Sequence, residues 1–129
     1  MNVSASGTII ELVDRYIDMW NETDTGRRRS LIARIWADGA SYLDPALSGE
    51  GRDGIDAMVK ALHEKYPGHR FKRTSDVNAH HDRVQFAWEL GPEAGPALVK
   101  GVDFATLSSE GSLKAVTGFF TELNVPQPQ

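Results

Sequence analysis

Asp103 is an acid in an apolar row. If Val99 to Phe120 is two strands joined by a turn at Ser109-Glu110-Gly111, then Val99, Gly101, Asp103, Ala105 and Leu107 share one face. A carboxylate in such a row is costly to ionise, so it is paired, protonated or put to use. Asp44 is the second acid of interest. Pro45 follows it and pushes it into extended backbone, which ends a short strand there and fixes the direction of its side chain. Tyr16 is the third residue, on a helical stripe of Ile9, Leu12, Val13, Tyr16, Ile17 and Trp20. Two carboxyls and a phenol are the residue types of proton transfer.

Other chemistries find little support. The chain has no cysteine, which removes disulfides, thiol catalysis and thiolate-bound zinc. His63, His69, His80 and His81 lack metal-ligand spacing, and adjacent histidines on a strand or turn are expected to point apart. Gly49, Gly51 and Gly54 lack the lysine and the preceding long strand of a phosphate loop. No serine sits in a nucleophile elbow. Net charge is −4, which argues against nucleic acid as a partner, and Arg27-Arg28-Arg29 is too short to form a basic patch. No window approaches a membrane span, and Met1 to Ile10 does not read as a signal peptide, so a cytoplasmic protein is expected. No cofactor is expected.

The elements that must position these residues follow from periodicity. A first helix carries the Tyr16 stripe, capped by Thr8 with Glu11 or one turn earlier by Ser4 or Ser6. Asp24 or Thr25 caps a second helix with Leu31, Ile32, Ile35 and Trp36 on its apolar face. Ala40 to Asp44 is a short extended segment, and Ser48 to Gly51 a loop. A third helix begins near Asp53 with Ile55, Met58, Val59, Leu62 and Tyr66 on one face, and Pro67-Gly68 stops it. Beyond Pro67 the period becomes two. Arg70 to Ala79 reads as a strand, His80-His81-Asp82 as a turn, and Val84 to Leu90 as a half-buried strand. Pro126 to Gln129 is a frayed tail. At 129 residues the chain suits one domain, with a core from about residue 8 to residue 123. Three helices followed by antiparallel strands is an α+β pattern.

The succession Tyr16-Ile-Asp-Met-Trp20-Asn21, Trp36-Ala-Asp38-Gly-Ala40, Leu43-Asp44-Pro45, Gly51-Arg52-Asp53-Gly54-Ile55, Gly101-Val-Asp103-Phe and Gly111 to Phe119 resembles the SnoaL-like branch of the nuclear-transport-factor-2-like superfamily. The resemblance runs from about Thr8 to Leu123. It implies an α+β cone, three helices on a strongly curved, mainly antiparallel sheet with an internal apolar pocket, and often a homodimer through the sheet. Within the superfamily, the ketosteroid isomerases use the aspartate of a strand-ending Asp-Pro as general base, which falls on Asp44. Their oxyanion hole pairs a first-helix tyrosine with a protonated late-strand aspartate, which fall on Tyr16 and Asp103. The supporting tyrosines of those enzymes fall near Met58-Val59 and Trp36, where this chain is apolar. Limonene epoxide hydrolases fit less well, since Gly101 stands where they carry an arginine. The polyketide cyclases that name the branch use a pocket aspartate, which Asp103 or Asp44 could supply.

Two functions follow from the resemblance. One is an acid–base enzyme of the isomerase or cyclase kind, acting on an apolar carbonyl compound through Asp44, Tyr16 and Asp103. The other is a non-catalytic module that binds an apolar ligand. Trp20, Trp36, Met58, Leu62, Phe86, Trp88 and Phe119 are the expected pocket walls. Bland roles stay open for the chemical residues: Tyr16 as a core phenol satisfied by backbone, Asp44 as a turn residue, and Asp103 paired with Arg52, Arg73 or a backbone amide.

Overall fold

The computed structural model of the chain describes residues 6–124. The candidate cap Ser4, the first five of the ten residues (1–10) that do not read as a signal peptide, and the frayed tail 126–129 lie outside that range. Of the caps considered, Ser6 starts α1 (Gly7–Asn21), its hydroxyl accepting from the Ile9 amide at 3.3 Å. Asp24 starts α2 (Thr25–Ile35), its carboxylate accepting from the Arg27 amide at 2.8 Å. Each cap satisfies an amide that the first helical turn leaves without a partner.

Trp36 is not on α2. Its backbone is extended (φ −100, ψ 136), and it opens β1 (Trp36–Leu43). The side chain is still in the core, with its indole N–H directed at Met19 Sδ at 3.1 Å, so the apolar residue was real and its element was not. The expected loop at Ser48 is β2 (Ser48–Glu50), paired antiparallel with the end of β1, and α3 (Gly51–Lys65) follows at once. The long strand expected from Arg70 to Ala79 is two, β3 (Arg70–Arg73) and β4 (Asn78–His80). Both pair with β5 (Arg83–Gly91), at opposite ends. Between them the Ser75 hydroxyl accepts from the Ala87 amide at 2.8 Å, so a side chain takes the place of a strand partner and the ladder breaks. The β4–β5 turn holds His81 at φ 51, and this left-handed backbone brings His80 Nδ1 and His81 Nδ1 to 3.2 Å rather than apart.

The hairpin of β6 (Val99–Leu107) and β7 (Leu113–Leu123) is the centre of the sheet, whose order is β2-β1-β7-β6-β5-β3. All pairings are antiparallel except β1 with β7. The three helices cover one face. Val13, Met19, Ile32, Ile35, Ile55, Val59, Val116 and their neighbours form one core between helices and sheet, and each large apolar side chain removed from water contributes about 1.5–3 kcal/mol. α2 and α3 are further joined by the buried Arg28 guanidinium, whose Nε donates to Asp56 Oδ1 at 2.7 Å. Arg52 donates twice to the Trp36 carbonyl, at 3.1 and 2.8 Å, tying the start of α3 to β1. The architecture is α+β, three helices on an open and mostly antiparallel sheet.

Candidate functional site

Asp103 lies on the inner face of β6, in the row expected for it, and is 3% exposed. Neither arginine pairs with it. Tyr16, on the buried stripe of α1, donates its hydroxyl to Asp103 Oδ2 at 2.7 Å, and the Trp88 indole N–H donates to Oδ1 at 2.8 Å. The phenol is therefore satisfied by a carboxylate rather than by backbone. Burial pushes the Asp103 carboxyl from 3.8 up to about 7; the Tyr16 and Trp88 donors pull it back, and the charge of Asp44 pushes it further up. Burial also holds the Tyr16 phenol well above its ordinary value, with the negative charge of Asp103 adding to the effect.

Asp44 follows the last residue of β1, before Pro45. Its Oδ1 accepts from the Ala46 and Leu47 amides, both at 2.7 Å, which is the turn role open to it in the sequence. Its Oδ2 accepts from the Tyr42 hydroxyl at 2.6 Å. Tyr42 is buried at 4% exposure with its ring against the edge of Trp20, centroids 5.2 Å apart. Burial raises its phenol, with Asp103 and Asp44 adding to the shift, so the hydroxyl stays a donor. Sequence reasoning missed Tyr42. The signal was available: residues two apart on a strand share a face, and Tyr42 is two before Asp44.

The two clusters meet at β7. A side chain at Gly118 would begin 2.8 Å from Asp103 Oδ1 and 3.1 Å from both the Tyr42 hydroxyl and the Asp44 Cβ. No other residue type leaves that space open. Gly101 does the same for the indole: a Cβ there would run into Trp88 Cζ2. The two glycines let β6 and β7 carry bulky partners from β1 and β5 between them.

A cavity of about 310 Å3 opens beside these clusters, lined by Asp44, Ala46 and Leu47, by Ala61, Leu62, Lys65 and Tyr66 of α3 and its end, and by Phe71, Trp88, Leu90, Val99, Phe120 and Leu123 from the sheet. Asp44 is the one carboxylate on its wall among the described residues. Of the walls expected from sequence, Leu62 and Trp88 are on it. Trp20, Trp36, Met58 and Phe86 are core residues instead. Phe119 points the other way, 53% exposed on the outer sheet face, because period two puts Gly118 and Phe120 inward. Tyr16 and Asp103 do not line the cavity. Trp88, which does, donates its indole N–H to Asp103. No group of three His, Cys, Asp or Glu among the described residues is placed to hold a metal.

Comparison with known proteins places the chain in a family. A profile described as SnoaL-like domain matches residues 13–116. A search of the curated proteins gives no match. Among solved structures, a candidate isomerase of the SnoaL-like family from Agrobacterium tumefaciens str. C58 is 35% identical, with a TM-score of 0.84 over 88% of this chain and 97% of that one. A candidate SnoaL-like polyketide cyclase from Jannaschia sp. CCS1 is 19% identical, with a TM-score of 0.68 over 87% of this chain and 84% of that one. A nuclear-transport-factor-2-like protein from Exiguobacterium sp. 255-15 is 18% identical, with a TM-score of 0.69 over 86% and 98%. The last two speak for the fold alone. With the profile spanning most of the sequence and a third of its residues shared with a solved member across nearly the whole domain, the chain belongs to the SnoaL-like family.

Proposed function

We propose that the protein is an acid–base enzyme acting on an apolar carbonyl compound, with Asp44 as the base. One observation carries this reading: Asp44, held by Tyr42 and two backbone amides, is the carboxylate on the wall of an otherwise largely apolar cavity. Asp44 takes a proton from the carbon next to the carbonyl, the C–H electron pair moves into the enolate, and the Asp44 carboxylic acid returns the proton to carbon at the same or a conjugated position. Tyr16 and a protonated Asp103 are the donors for the developing oxyanion. They do not line the cavity, and the Trp88 indole, which does, donates to Asp103, so a bound substrate reaches Asp103 by turning the indole aside and breaking that hydrogen bond. The isomerase description of the 35%-identical solved relative is consistent with proton transfer of this kind. Asp44→Asn should abolish turnover of a carbonyl substrate while ligand affinity survives; normal turnover by that variant would remove Asp44 from the mechanism.

A second reading has its own support. Tyr16 and Asp103 hydrogen-bond each other, and Trp88 closes the remaining carboxylate oxygen, so this donor pair does not face the cavity. That arrangement suits a module that holds an apolar ligand without reacting it. It predicts tight ligand binding with no proton exchange at the ligand carbon. Under either reading the partner proposed for the outer sheet face is a second copy of the chain.

A further inference from the structure

Three polar side chains break the apolar wall of the cavity: Asp44 on the β1–β2 turn, and Lys65 and Tyr66 where α3 ends. Asp44 is already engaged by Tyr42, Ala46 and Leu47. Lys65 is not engaged by any acid: no ion pair among the described residues includes it, and its ammonium stands 5.4 Å from the centre of the neighbouring Tyr66 ring. Among the described residues the cavity therefore offers one cation without an acid partner, set on a different element from its carboxylate.

We propose that the ligand is an amphiphilic anion, an apolar body bearing a carboxylate at the end that meets Lys65. This rests on the reading of the cavity as a ligand site, and it names the substrate class as an apolar oxo acid. Apart from Asp44, Lys65 and Tyr66 the cavity wall is largely apolar, which disfavours ligands polar along their length. The position of Lys65 also sets orientation. A carboxylate head placed beside Asp44 meets like charge, whereas the same head at Lys65 leaves the carbonyl and its acidic C–H free to approach Asp44. The whole chain carries a net charge of −4, so its long-range field disfavours anions, and any preference for one must arise locally.

The test compares decanoate with decan-1-ol, which share chain length and differ in head charge, by titration calorimetry at low ionic strength. The intact protein should bind decanoate about three- to fivefold more tightly than the alcohol, as expected for an ion pair at a solvated rim. Lys65→Gln, at an exposed position, should bring the two affinities together without weakening the alcohol. Added salt should weaken decanoate alone. Equal affinities in the unaltered protein, or a preference that survives Lys65→Gln, would overturn the head-group assignment while decan-1-ol binding keeps the cavity reading in place. Binding of neither probe would overturn both.

Discussion

Asp44 and Asp103 carry the same functional group in opposite surroundings. Asp44 is half-buried and accepts three hydrogen bonds, two from amides that can only donate. Asp103 is enclosed, and its carboxyl is pushed up to about 7. Tyr42 is the residue that binds the first acid to the region of the second. Tyr42→Phe keeps the ring against Trp20 and removes only the hydroxyl. It should cost about 1.5–3 kcal/mol of stability in denaturant titration, and, if Asp44 is the base, it should lower kcat with little change in KM. A variant with unchanged stability and unchanged kcat would show that the 2.6 Å contact positions nothing. The two acids and Tyr16 were legible from residue type and strand or helix period. The indole donor was not: Trp88 reaches Asp103 because β5 pairs with β6 in the register Trp88↔Gly101, and that register is set by a loop whose length alone does not reveal it.

At the scale of elements, β6 and β7 present two chemistries. Inward they carry Asp103, Gly101 and Gly118; outward they carry Phe104 and Phe119, 44% and 53% exposed and in edge contact at 5.9 Å between centroids. If a second copy covers that face, Phe119→Asp should convert a dimer to a monomer in sedimentation equilibrium at micromolar concentration without altering the cavity. A monomer in the unaltered protein would remove the proposal. The helices were readable because their apolar stripes span several turns and their caps are local. The errors fell where tertiary pairing overrides local pattern. Trp36 continues the apolar spacing of α2 but is taken by the sheet, opposite Leu113. Ser48–Glu50 has too little apolar character to announce a strand, yet β1 supplies a partner. Ser75 splits β3 from β4 through a hydrogen bond that depends on where Ala87 lies.

For the whole molecule, the order of three helices and then a run of strands was enough to indicate α+β. The parallel contact of β1 with β7 was not readable, because it joins residues far apart in sequence and no turn signal marks it. Folding around Asp103 gives the protein a distinctive response to pH. The folded carboxyl holds its proton up to about 7, whereas an ordinary one releases it near 3.8. Between those values the native state binds more protons than the unfolded state, so this group makes stability fall as pH rises through the window. Its loss should total a few kcal/mol at most, on the order of 1.4 kcal/mol per unit of difference. Asp103→Asn should flatten that segment of the curve of denaturation midpoint against pH. A wild-type slope that persists in the variant would assign it to other groups.

Proton transfer at Asp44 is the central claim, and hydrogen–deuterium exchange at carbon measures it most directly. An apolar ketone is incubated with the protein in D2O, and loss of its α-proton signal is followed by NMR. Binding is measured in parallel. The unaltered protein should accelerate exchange over buffer, and Asp44→Asn should lose about 10²- to 10⁴-fold of that acceleration with the ketone still bound, the range a positioned base contributes. Exchange by Asp44→Asn at the wild-type rate, or a ketone that occupies the cavity of the unaltered protein with no exchange above buffer, would contradict it.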